Sequence, residues 1–146
     1  MNLAYILLGL ATGAGVAVQA VVNTRLRFAS GSPIWAAVGQ FVVGLMLLVV
    51  VGLATRQTVS TDGLSRGPWW MWTGGIFGAT YVTMSVVLAP RLGTALMAAT
   101  IMAGQMALAL LFDQFGWLGA TPVPLSASRI AGAGLLVAGV LLMRWN

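Results

Sequence analysis

Four stretches of the chain, Leu3–Val22, Ile34–Ala54, Trp69–Leu88 and Leu92–Phe112, carry no charged side chain, and a fifth, Ala127–Met143, carries only Arg129. Each is close to the length of a helix that crosses a hydrocarbon layer, since about 30 Å at 1.5 Å of rise per residue needs ~20 residues. Inside lipid the backbone has no water to bond to, and a continuous helix satisfies its N–H and C=O groups within one segment. The runs therefore predict an all-α integral membrane protein with five transmembrane helices, a single domain over residues 1–146. A soluble fold is excluded on the same grounds: charged residues make up 6% of the chain, against roughly 25% in soluble domains.

The breaks between runs have the chemistry of helix ends. Ser32-Pro33 precedes the second run, a hydroxyl cap followed by proline at the first helical position. Pro68 precedes the third run, Pro90 follows it, and Pro122 and Pro124 stand before the fifth, so all five prolines are expected between spans. Trp35, Trp69, Trp70, Trp72, Trp117 and Trp145 fall at or near run ends, where an amphipathic ring favours the headgroup zone. Glycines recur inside the runs, as in Gly9-xxx-Gly13 and Gly74-xxx-Gly78, and let helix backbones approach closely without specifying chemistry. Val18-Gln19-Ala20 has the small-residue pattern of a signal-peptide cleavage site, yet no Lys or Arg precedes it; the segment is read as a retained first span.

The chain has no Cys and no His, which removes disulfides, thiolate catalysis and the usual zinc and haem sites. No cofactor, no metal and no enzymatic activity are expected. The seven basic residues are all Arg and face only Asp62 and Asp113, for a net charge of +5. They are scattered singly, so the clustered footprint of a nucleic-acid binder is missing and lipid phosphate is the nearer anion. With five spans, Arg56, Arg66 and Arg129 fall on one side of the membrane and Arg25, Arg27, Arg91 and Arg144 on the other. Orientation follows the Lys/Arg excess on the cytoplasmic side, and three against four is almost none. The chain is expected to insert both ways and to pair with itself as an antiparallel homodimer, a ten-helix assembly like the inverted repeats that many transporters carry in one longer chain. A fixed topology decided by Arg25 and Arg27 is the competing reading.

Polar side chains inside the runs or next to their ends are few. Gln19 and Asn23 lie four residues apart, hence on one helix face, and continuing that face backward meets Gly15 and Thr12. The second run adds Gln40, the third Thr80, Tyr81 and Ser85, the fourth Gln105, and most of these fall in one half of the bilayer by helical rise. They are the candidate lining of a substrate path, with Arg25 as a candidate anion contact. The bland alternative is interhelical hydrogen bonding, which spans use widely at about 0.6 kcal/mol per bond. No carboxylate lies deep in any span, which leaves neutral or zwitterionic solutes as the better match for these groups. Asp113, at the end of the fourth run, is expected as an interfacial cap or as the partner of Arg129.

The segments "VQAVVNTRLRFASGSPIWAAVGQFVVG", "PWWMWTGGIFGATYVTMSVVLAPRLG" and "AGQMALALLFDQFGWLG", with "RIAGAGLLVAGVLL" in the last span, resemble the YdcZ-like five-span family of the drug/metabolite transporter superfamily. That resemblance implies a multi-pass protein of the bacterial inner membrane, a half-transporter whose relatives occur singly, as paired genes, or as fused ten-span chains with inverted halves. The logic is similar to that of the four-span small multidrug resistance proteins, but their membrane-embedded Glu has no counterpart here, where Gln19 and Asn23 are the polar positions. The leading expectation is a secondary transporter that exports a small polar or amphipathic metabolite; the alternatives are a dual-topology channel and a non-transporting membrane subunit or lipid-binding scaffold.

Overall fold

The computed structural model describes residues 3–59 and 61–145, with the main chain only at residues 62 and 63, so the Asp62 side chain lies outside the described residues. The described residues form α1 (Leu3–Ser30), α2 (Pro33–Ala54), α3 (Thr61–Arg66), a 3-10 turn (Trp69–Thr73), α4 (Gly74–Leu92), α5 (Thr94–Phe115), a second 3-10 turn (Trp117–Gly119) and α6 (Ala127–Arg144). Five helical segments, Leu3–Ser30, Pro33–Ala54, Trp69–Leu92, Thr94–Phe115 and Ala127–Arg144, are long and apolar enough to cross a membrane. Large apolar side chains such as Leu10, Val43, Leu48, Ile76 and Leu135 are exposed, as lipid-facing residues are. By its contacts the chain divides into two compact units, one up to Arg91 and one from Leu92 onward.

In the first unit α1 and α2 form a hairpin. Gly31 adopts φ +70°, a conformation that costs L-residues with a β-carbon and that glycine adopts freely. Ser32 caps α2, its Oγ accepting from the Trp35 amide at 3.4 Å, with Pro33 at the first helical position. So short a connection fixes which residues stand level across the pair. Asn23 is eight residues before Gly31 and Gln40 eight after Ser32; one turn toward the connection Arg27 stands level with Ala36, and one turn away Gln19 stands level with Gly44. The small buried residues Ala20, Ala36 and Ala37 flank this register, and Leu26 Cδ2 lies over Gly39.

Two features of the unit depart from the hydropathy pattern. Helix α1 does not end with its apolar run at Val22 but continues to Ser30, because nothing between Asn23 and Ser30 breaks a helix; polar residues change the solvent a helix prefers, not its hydrogen bonding. The expectation that all five prolines stand between spans needs correction: Pro90 is inside α4, two residues before its end, and Pro33 is the first residue of α2.

In the second unit the C-terminus of α5 is clasped to the N-terminus of α6. Gly116 closes α5 in the left-handed conformation, φ +65°, its N–H donating to Phe112 O at 2.7 Å. The connection then folds back: Val123 N donates to Asp113 O at 2.7 Å and Leu125 N to Gln114 Oε1 at 2.8 Å. Arg129 completes the clasp by pairing with the Asp113 carboxylate while its Nη1 donates to Val123 O at 3.0 Å. Trp117 stacks on Phe115, with ring centroids 5.2 Å apart, and meets Phe112 edge-on at 6.2 Å. A β-carbon at Gly116 would stand 3.0 Å from Pro122 Cγ and 3.3 Å from Ala120 O. Gly116→Ala is therefore expected to destabilise the protein by about 1–2 kcal/mol, the cost of the left-handed conformation alone, with the crowding adding to it; thermal unfolding of the purified variant in detergent checks this.

Candidate functional site

The first unit holds the polar cluster. Asn23, 6% exposed, donates from Nδ2 to Gln40 Oε1, joining α1 to α2. The hairpin register makes this pair, with Ala20, Ala36 and Ala37 buried beside it. Gln19 is half-buried one turn before Asn23. Helix α4 carries Ser85, 6% exposed, whose hydroxyl donates to Tyr81 O at 2.7 Å, and the half-buried Tyr81. Ser85 has thus spent its donor on its own helix and keeps only lone pairs for a neighbour. Thr80 is exposed and bonds back to Ile76 O at 2.9 Å. Arg25 is exposed, and Gln105 is an exposed residue of α5 in the second unit.

The residue that sequence reasoning passed over is Arg27, which the hydropathy run places outside the first span. It is half-buried, and its Nη1 donates to Val86 O at 3.0 Å. That carbonyl has a specific reason to need a donor. In an α-helix Val86 C=O would accept from the N–H of residue 90, which is Pro90 and has none. Val86 is 0% exposed, so its carbonyl also has no access to water, and leaving it unbonded there would be costly. The guanidinium of α1 fills the gap left by the proline of α4. Two sequence signals, a proline within a long helix and a nearby unpaired arginine, mark such an arrangement only once the helices are known to be adjacent.

Residues 4–142 match the family described as "Putative inner membrane exporter, YdcZ". The chain belongs to the YdcZ family. It is 31% identical over 138 residues, 92% of this chain and 90% of the relative, to the "Inner membrane protein YdcZ" of Escherichia coli strain K12. No solved structure matches the chain. With five apolar helices and membership in the YdcZ family, this is a multi-pass inner-membrane protein of a transporter family, which is not an enzyme class.

Proposed function

We propose that this YdcZ-family chain is a secondary transporter that exports a small polar or amphipathic metabolite by alternating access, working as an antiparallel homodimer of single five-helix domains. The observation that carries the reading is the bond between the buried Asn23 and the half-buried Gln40, with Gln19, Tyr81 and Ser85 in the same unit. Polar groups within spans that face a cavity mark solute pathways. Thr80, exposed in the single chain, belongs to the path in this reading, and Arg25 is its outer anion contact. Inverted pairing is supported by the arginine count of three against four, and outward transport by the family description.

Topology is the first test. Because the chain has no Cys, single reporters Gln57→Cys and Trp145→Cys, both at exposed positions, are to be probed in intact cells with a membrane-impermeant maleimide. Each site is expected to be labelled from both faces in roughly equal parts, since the charge bias is a single residue. Labelling of each from one face only rules out inversion.

A further inference from the structure

We propose that Arg27 is an anion-binding group and that the ligand of the polar residues of α1, α2 and α4 carries an oxyanion, a carboxylate or a phosphate; this rests on the reading of those residues as the solute path. Among the seven arginines, Arg25, Arg56, Arg66, Arg91 and Arg144 are exposed, and only Arg27 and Arg129 are half-buried. Arg129 has its counter-ion in Asp113. Among the described residues Arg27 has none, and the only other side-chain carboxylate of the sequence is Asp62, in the connection that follows α2. A guanidinium withdrawn from water without an opposing charge is unfavourable unless an anion joins it.

The geometry leaves the guanidinium available for that role. It has five N–H donors; one is given to Val86 O at 3.0 Å, and the Phe28 ring centroid lies 6.0 Å from Cζ. No protein acceptor takes the remaining N–H groups among the described residues. The bond to Val86 holds the planar fork in place, which limits the side-chain freedom an anion would otherwise have to freeze. Asn23 lies one turn before Arg27 on α1, and Gln40 is bonded to Asn23. The charged group and the amides therefore follow one stripe: the guanidinium would hold the oxyanion, and the amides the neutral polar part of the ligand.

The same oxyanion could be supplied by a soluble solute or by a lipid phosphate, and the test separates them. The full-length protein is placed in phosphatidylcholine nanodiscs and its thermal stabilisation is titrated with benzoate and with its neutral isostere benzamide. Benzoate is expected to stabilise and benzamide not. Arg27→Gln with Pro90→Ala is the informative variant, because alanine returns to Val86 O the backbone donor that Arg27 had replaced and so preserves the fold without the guanidinium. It is expected to weaken benzoate binding at least tenfold, while Arg27→Lys retains part of the response. If benzoate has no effect, but native mass spectrometry finds phosphatidylglycerol retained by the wild type and lost from the double variant, the oxyanion comes from lipid. Equal responses to benzoate and benzamide, an unchanged response in the double variant, or no preference for either anion source overturns the assignment. Should both probes stabilise equally and Asn23→Ala remove both responses, the anion assignment fails while the solute-path reading stands. If no probe responds and Asn23→Ala changes no transport, that reading fails as well.

Discussion

Asn23→Leu is expected to reduce transport at least tenfold while leaving a folded protein. The two side chains share the same branched skeleton, so leucine fits the Asn23 position with local repacking between α1 and α2, but it neither donates to Gln40 nor offers an oxygen to a solute. Interhelical hydrogen bonds in membranes average about 0.6 kcal/mol, so the fold loses little. A hydrogen bond needed by a bound solute is worth about 1–1.5 kcal/mol, close to a factor of ten in affinity or rate. The experiment measures proteoliposome flux of whichever solute stabilises the wild type, alongside the melting temperature of Asn23→Leu. A variant that melts several degrees lower yet transports at the wild-type rate would show that the pair only fastens α1 to α2. The exchange Asn23→Gln with Gln40→Asn adds a geometric check, since it keeps both amides but moves each by one methylene.

The largest expected effect on stability is at Arg27. Arg27→Ala leaves the Val86 carbonyl, at 0% exposure, without its donor, at a cost of about 1–3 kcal/mol. Pro90→Ala alone should be neutral or stabilising, because it supplies the missing backbone donor and removes the clash of the proline ring with the same carbonyl. In the Pro90→Ala background Arg27→Ala should then cost only a few tenths of a kcal/mol, giving a coupling of about 1–2 kcal/mol in the double-mutant cycle. Four unfolding curves in one detergent supply the cycle. Additive effects would mean that the guanidinium does not serve the carbonyl that proline exposes.

The contrast between these residues shows what can be read from sequence. Five spans follow from apolar runs of the right length, because lipid leaves the backbone few alternatives. The cap at Ser32-Pro33 and the pair Asp113–Arg129 are local, or join the two ends of one connection, and are equally legible. The extension of α1 to Ser30 is hidden because hydropathy reports solvent preference, whereas the helix continues for as long as nothing breaks it. That Asn23 meets Gln40, and not another amide, depends on a hairpin register set by Gly31 and Ser32. The role of Arg27 is hidden most deeply: it needs a proline 63 positions later, a helix that tolerates it, and the adjacency of α1 and α4.

The length of α1 has a consequence for the lipid around it. Its 28 residues span about 42 Å and the 18 of α6 about 27 Å, at 1.5 Å per residue. No single hydrocarbon thickness suits both. At an ordinary tilt of about 20° a 30 Å layer accommodates about 21 residues of helix, so roughly two turns of α1 must emerge. If the emerging turns are those after Val22, they carry Asn23, Arg25 and Arg27. A membrane with longer acyl chains would draw that end of α1 back into hydrocarbon, where a bare guanidinium is least tolerated. Hydrophobic mismatch then becomes a control on the protein: acyl-chain length sets how far the Asn23–Arg27 end stands in water, and activity should vary with the thickness of the host bilayer.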